Sequence, residues 1–105
     1  MSEKFHYLGD LGALARIPEN GILSQPIVNT GSMRVTLFGL AKGQEMTGHA
    51  ASAEAIVHFL AGEIEITVDG IAHTACANSW LRMDPKLPHS LVAKTPASFC
   101  LIILR

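Results

Sequence analysis

The sequence has little of what marks disulfide-stabilised, nucleic-acid-binding or membrane proteins. Its two cysteines, Cys76 and Cys100, do not match the spacing of a metal site. The N-terminus lacks the charged start and apolar stretch of a signal peptide, so we expect reduced thiols and a cytoplasmic protein. Eight Lys and Arg residues against nine Asp and Glu, with no basic block, indicate no nucleic-acid partner. No apolar run reaches the roughly 18–20 residues of a membrane span, so we expect no membrane partner.

Charged residues are also scarce, whereas apolar residues are abundant. Charged residues make up 16% of the chain and hydrophobic residues 49%. This is a high apolar fraction for a small protein, which has a large surface relative to its core. We expect part of the excess to cover a subunit interface, and therefore a homodimer. The length of 105 residues predicts one domain, residues 1–105.

The pattern of the chain predicts strands and almost no helix. Residues 1–21 form an irregular arm in which Asp10 caps one or two helical turns that end before Pro18. From residue 22 onward, short apolar or alternating segments separated by turn signals predict a β-sandwich or barrel. Pro26 restricts the first strand to a sheet edge or a bulge. The predicted strands are Ile22–Val28, Met33–Leu37, Ala55–Leu60, Glu63–Val68, Ile71–Ala75, Trp80–Met83, His89–Ala93 and Ser98–Leu104.

One hairpin can be predicted residue by residue. Asp69-Gly70 between two alternating segments favours a two-residue type I′ turn. Such a turn pairs Ile66 with His73, and paired residues share a face of the sheet. We therefore predict that His73 lies on the apolar side, at the wall of a pocket. There it is either a hydrogen-bonded wall residue, which we favour, or a ligand-binding one.

A longer motif runs from Gly43 to Gly62, with His49 between the two glycines. This stretch resembles the first cupin motif, G-x5-H-x-H-x3,4-E-x6-G, with both glycines and the first histidine in register. Ala51 stands at the position of the second histidine, and Ala55 at that of the glutamate. The frame of the motif is present without two of its three metal ligands.

Residues 78–93 are similar to the second cupin motif, G-x5-P-x-G-x2-H-x3-N. His89 is in register there, whereas Asn78 replaces the first glycine and Ala93 the final asparagine. The resemblance covers about residues 33–104 and identifies a small single-domain cupin of the RmlC-like, type-2 group with a degenerate metal motif. It implies an all-β fold, a double-stranded β-helix or jelly-roll barrel. It leaves open whether an N-terminal strand is exchanged in the dimer.

The resemblance also implies where a ligand binds. In the family, two histidines and a glutamate of the first motif and one histidine of the second hold a divalent metal inside the barrel. Here His49 and His89 alone carry over, so they are the candidate metal ligands for Fe, Mn, Ni, Cu or Zn. The alternative is that these two histidines line the pocket and bind a ligand or serve as general bases without metal.

Several other residues could belong to a functional site, but we expect each of them to have a structural position instead. Glu54 is one residue out of register with the missing glutamate, which predicts an outward side chain unless a bulge reverses it. His58 alternates with Val57 and Phe59 and should also point outward. Four large apolar residues are expected in the core: Phe38, Trp80, Met83 and Phe99.

These features support three hypotheses of function. The first is a protein that binds a small molecule, with or without a divalent metal, in a pocket around His49 and His89, with His73 at its wall. The second is a metal-dependent dioxygenase or isomerase acting on a small polar organic compound. The third is a non-catalytic dimeric sensor or accessory protein. The sequence does not decide among them, and it does not identify the ligand.

Overall fold

The computed structural model describes residues 4–49 and 52–105, and all of their side chains except those of residues 48 and 49. Within these residues, one short helix, α1, is followed by nine strands. No helix among the described residues is long and apolar enough to cross a membrane. The elements are α1 (Leu11–Leu14), β1 (Ile22–Asn29), β2 (Met33–Leu40), β3 (Glu45–His49), β4 (Ala55–Ala61), β5 (Ile64–Val68), β6 (Ile71–Ala75), β7 (Trp80–Met83), β8 (His89–Ala93) and β9 (Ala97–Leu104).

The strands form two antiparallel sheets, which confirms the predicted all-β fold. The five-stranded sheet has the order β1-β2-β9-β4-β7, and the four-stranded sheet the order β3-β8-β5-β6. Strands distant in sequence are therefore neighbours, as β2 and β9 are along their whole length. This arrangement places the second strand, β2, and the last strand, β9, side by side within one sheet.

Most local predictions are confirmed. The Asp10 side chain accepts a hydrogen bond from the Ala13 backbone N–H and so caps α1. β1 is an edge strand, and its register with β2 shifts after Pro26. The β5–β6 hairpin pairs Ile66 with His73 as predicted. One strand, β3, was not predicted, because Glu45, Thr47 and Gly48 interrupt the apolar pattern there.

The main core lies between the two sheets. Alternate residues of each strand point into it, and they include Phe59, Phe99 and Ile66, each no more than 3% exposed. The inward residues of β2 are even-numbered, because Phe38 and Leu40 pack against this core. Burial of this apolar surface is the dominant favourable contribution to the stability of such a fold.

A second, smaller cluster lies on the outer face of the five-stranded sheet. Leu37 and Cys100 are nearly inaccessible there, because Ala15 and Leu11 of the N-terminal arm pack over them. The irregular arm therefore forms part of the folded structure and covers Leu37 and Cys100 on this face of the sheet.

Candidate functional site

A cavity of about 280 Å³ lies between the two sheets. Most of the described wall is apolar, and two described residues contribute polar side chains, Arg34 from the five-stranded sheet and His89 from the four-stranded sheet. The lining residues are Arg34, Phe38, Met46, Ala55, Val57, Ile66, Met83, His89, Leu91, Phe99, Leu101 and Ile103. An apolar concavity with a few convergent polar groups is the usual form of a small-molecule site.

Part of the wall is a row of residues that crosses four strands of the larger sheet. Arg34 of β2 is paired with Ile103 of β9, Ile103 with Ala55 of β4, and Ala55 with Met83 of β7. Residues paired across neighbouring strands lie on the same face. The four side chains therefore form one continuous strip of the cavity wall, with the exposed Arg34 at one end.

The orientation of His89 follows from the turn that precedes β8. Its Nδ1 lies 3.0 Å from the carbonyl oxygen of Leu87. A carbonyl oxygen can only accept, so Nδ1 carries the proton of this hydrogen bond. In a neutral ring Nε2 is then left as an acceptor or a metal ligand. This hydrogen bond therefore favours the tautomer in which Nε2 of the half-buried ring can accept a hydrogen bond or bind a metal.

His49 lies next to His89 in the β3–β8 register, where the two residues are directly opposite each other. Val68 of β5 is opposite His89 on its other side. The side chain of His49 and the whole of Ala51 lie outside the described residues. Ala55, the position of the motif glutamate, is 2% exposed and lines the cavity.

The described residues do not supply the metal-binding set of the family. They contain no group of three or more His, Cys, Asp and Glu side chains placed to hold a metal ion. His89 is the one member of these residue types among those that line the cavity. With alanines at the positions of the second histidine and the glutamate, the residues present do not fit the family's metal.

Three candidates from the sequence lie away from this cavity. His73 is exposed on the edge strand β6, whose residues 71–74 are all exposed, and it does not line the cavity. The carboxylate of Glu54 pairs with the Nε of Arg82 outside the barrel. Hydrogen bonds with Asp84 and Glu54 raise the pKa of the Arg82 guanidinium. His58 lies half-buried on the outer side of β4, as predicted.

One prediction about the core was wrong. Trp80 is 61% exposed, whereas Phe38, Met83 and Phe99 pack inside as expected. The reason is the register of β7, in which Trp80 pairs with the outward-facing His58. Side chains opposite each other share a face, so Trp80 points away from the core.

Arg34 is the site residue that the sequence analysis missed. The alternation of Met33–Leu37 predicted a half-buried strand, but it did not show which face Arg34 occupies. The sequence does contain an indication. Arg34 and Phe38 are four residues apart on one strand, so their side chains lie on the same face, and Phe38 was expected in the core. An arginine near the end of a strand, on the same face of that strand as a core phenylalanine, indicates a cationic group at the edge of a cavity.

No protein-family model and no curated protein matches the sequence. Solved structures do match. A conserved protein of unknown function from Streptococcus pyogenes shares 27% identity, with a TM-score of 0.85 over 98% of this chain and 90% of that one. A cupin superfamily protein from Desulfitobacterium hafniense shares 20% identity, with a TM-score of 0.85 over 99% of this chain and 94% of that one.

An enzyme matches over a smaller part of its own length. Salicylate 1,2-dioxygenase from Pseudoaminobacter salicylatoxidans, solved as adducts with gentisate, shares 16% identity and a TM-score of 0.75. The match covers 79% of this chain and 25% of that one. RmlC-like cupins are also among the matching structures. The chain is therefore a small protein with the cupin fold, which confirms the resemblance given by the two motifs.

Proposed function

We propose that this protein binds a small organic molecule in the cavity between its two sheets. The observation that carries the proposal is the apolar cavity of about 280 Å³ that holds two polar side chains, Arg34 and His89. His89 presents one acceptor nitrogen in the tautomer that its hydrogen bond favours. His49, its neighbour in the register, belongs to the same proposed site.

A ligand screen by thermal unfolding tests this proposal. A molecule that binds the folded state alone, at about a hundred times its Kd, stabilises that state by roughly 2.7 kcal/mol. For a chain of this size the gain corresponds to a rise in Tm of about 10 °C. We expect small, mostly apolar compounds to produce such a rise.

A pair of variants makes the screen specific for the cavity. Ala55→Leu adds three carbon atoms at a residue that lines the cavity, and we expect it to abolish the rise in Tm. Ala72→Leu makes the same change at an exposed residue of the edge strand β6, and it should leave the rise unchanged. Equal responses in the two variants would show that ligands bind elsewhere and would refute the proposal.

The alternative of a metal-dependent dioxygenase or isomerase has less support. The fold of salicylate 1,2-dioxygenase is compatible with it. A metal here, for which His49 and His89 are the candidate ligands, would have to be held without the family's second histidine and its glutamate. Metal analysis of untagged protein, together with the affinity of added Fe²⁺, Mn²⁺, Ni²⁺, Cu²⁺ and Zn²⁺, decides between binding with and without a metal.

We also propose that the protein forms a homodimer through the outer face of its five-stranded sheet. Half-buried apolar side chains on this face, Ile56 and Ile102, lie on the same side as the exposed Trp80. Phe5 and Tyr7 of the adjacent arm are more than 75% exposed. An apolar area of this kind is typical of a subunit interface, and a twofold axis would bury the same area of both copies. A dimer of this kind is also compatible with the third hypothesis, a non-catalytic sensor or accessory protein.

The state of the cysteines supports a cytoplasmic location. Cys76 is an exposed free thiol and Cys100 a buried one, and the structure pairs neither in a disulfide. Free exposed thiols persist in reducing compartments.

A further inference from the structure

The charge in the cavity is unbalanced. Among the described residues that line it, Arg34 is the one that carries a formal charge, and none of them is an Asp or Glu. Two of the other three arginines have side-chain partners: Arg82 pairs with Glu54 and Asp84, and Arg105 donates to the side chain of Asn29. Within residues 4–49 and 52–105, the Arg34 guanidinium forms no hydrogen bond or ion pair with another described residue.

An unpaired guanidinium at the mouth of an apolar cavity selects for an anion. A guanidinium is a cation with five N–H donors, and Arg34 is exposed to water in the free protein. A ligand that fills the cavity displaces part of this water. A neutral apolar molecule would leave the charge partly desolvated and unpaired, which is unfavourable. An anionic group restores both the hydrogen bonds and the charge balance.

The surroundings favour a carboxylate over a phosphate. Arginine and carboxylate fit each other through two parallel hydrogen bonds, so a single arginine is sufficient. Phosphate sites in proteins add further cations or a helix N-terminus. The structure places no second cationic side chain in the described cavity wall, and the four-residue helix α1 lies on the outer face of the sheet.

The size and walls of the cavity define the rest of the ligand. Benzene fits an apolar cavity of about 150 Å³, so a volume of 280 Å³ accommodates roughly ten non-hydrogen atoms by the same scale. Phe38 and Phe99 stack at a centroid distance of 5.1 Å and form a flat part of the wall. Such a wall favours a flat or extended hydrocarbon body.

We infer that the ligand class is a small organic monocarboxylate with an apolar body, whose carboxylate binds Arg34 at the mouth of the cavity while the body fills the space beside Phe38 and Phe99. The inference rests on the proposed function, since it names the class of molecule that the cavity takes. It assigns Arg34 as the residue that determines specificity for an anion.

Calorimetric titration of matched compounds tests this inference. The probes are the acids benzoate, phenylacetate, cinnamate and hexanoate, each paired with its neutral amide. All titrations are run in one buffer at one pH, so that each acid and its amide meet the same charge on the protein. We expect at least one acid to bind at least about tenfold more tightly than its amide, as expected for a charged bidentate pair.

Three variants separate the contribution of Arg34 from general effects of charge. Arg34→Met should remove the preference for the acid while the amide retains its affinity within about threefold, because the apolar wall is unchanged. Arg34→Lys keeps the positive charge but lacks the two parallel N–H donors of a guanidinium, so it should give an intermediate preference for the acid over the amide. Arg16→Met removes the same charge from an exposed residue of the arm and should change neither affinity. Arg34 is exposed, so folding of its variants is expected, and a thermal melt checks it.

The possible outcomes are distinguishable. If amides bind as tightly as acids and Arg34→Met alters neither, the carboxylate assignment is wrong while the proposed binding function stands. If phenylphosphonate binds more tightly than every acid, the assignment to carboxylates is also wrong. If no acid or amide binds the wild-type protein at millimolar concentration, this inference is overturned. If no compound of any class raises Tm in the broader screen, the proposed function fails with it.

Discussion

The backbone at Arg16 crosses directly over Gly39 on the outer face of the five-stranded sheet. A Cβ atom built on residue 39 would lie 1.8 Å from the carbonyl oxygen of Arg16 and 2.8 Å from its carbonyl carbon. The Arg16 backbone N–H also donates to the side chain of Gln25 on the edge strand β1. The missing side chain of Gly39 therefore permits the arm to pack on the sheet.

We predict that Gly39→Ala destabilises the protein by about 2 kcal/mol or more. The added methyl group would overlap backbone atoms, which cannot rotate away as a flexible side chain can, and overpacking of this kind costs about 1–3 kcal/mol or more. The arm would have to move away and expose the apolar side chains of Leu37 and Cys100. The free energy of unfolding in urea is the measurement.

Gly31→Ala is the matched control for this prediction. Gly31 lies in the β1–β2 turn, where an added Cβ would meet no atom within 4 Å and the backbone does not require a positive φ. Its substitution should change stability by no more than about 0.5 kcal/mol. Equal losses in the two variants would mean that the arm does not pack against Gly39.

A pH dependence is expected from the buried thiol of Cys100. Burial raises the pKa of Cys100 above that of an exposed thiol. The folded state therefore keeps the proton in the range where the unfolded chain, with an ordinary thiol pKa of about 8.5, loses it. The free energy of unfolding is unaffected by this group below that pH, and it falls as the pH rises above it.

The measurement compares the free energy of unfolding at pH 7.5 and pH 9.5. We expect the free energy of unfolding to decrease less between these two pH values in Cys100→Ala than in the wild type. The loss should be unchanged in Cys76→Ala, because Cys76 is exposed. A loss of the same size in the wild type and in Cys100→Ala would show that Cys100 does not cause it.

The sequence predicted the fold well because its strands carry local signals. The Asp69-Gly70 turn and the alternation of residues 63–68 specify a hairpin without any knowledge of its neighbours, and its register is as predicted. Pro26 marked an edge strand in the same way. Such signals depend on backbone conformation within a few residues, which is what a single sequence records best.

The site was predicted less well because its residues come together through long-range pairing. His73 was expected at the pocket wall from its hairpin, but whether that side of β6 is covered depends on the edge position of the strand. Arg34 joins the cavity through its pairing with Ile103, a partner 69 positions later in the chain. Alternation gives two faces, and only the packing of the sheets shows which one is inside.

The proposed dimer predicts that Trp80→Glu weakens self-association. A charge at an exposed tryptophan in the centre of an interface should cost roughly 2 kcal/mol or more, or about thirtyfold in Kd. Sedimentation velocity over a range of protein concentrations measures the effect. The wild type should sediment as a dimer at concentrations at which Trp80→Glu is mostly monomeric.

Ile71→Glu is the matched control for the dimer. Ile71 is 62% exposed, nearly the same fraction as Trp80, but it lies on the edge strand of the other sheet. The variant should remain dimeric. Dissociation by Ile71→Glu and not by Trp80→Glu would place the interface on the four-stranded sheet, and a monomeric wild type at high concentration would exclude the dimer.

The last prediction concerns restoration of the metal motif. Ala51→His combined with Ala55→Glu should bind Ni²⁺, Co²⁺ or Zn²⁺ at least about tenfold more tightly than the wild type, equivalent to about 1.4 kcal/mol. The physical reason is that two added donors would complete a set with His49 and His89, and Ala55 already lines the cavity. The larger side chains are expected to reduce stability where the wall is tightly packed.

Calorimetric titration of folded protein measures the gain, and a third substitution tests its origin. Adding His89→Gln to the double variant leaves three of the four donors and should reduce the gain in affinity. Retention of the full gain without His89 would show that His89 does not hold the metal. Equal affinity in the wild type and the folded double variant would mean that residues 51 and 55 do not face the two histidines. The alignment of the chain with the first motif would then be wrong, although the two-sheet fold does not depend on it.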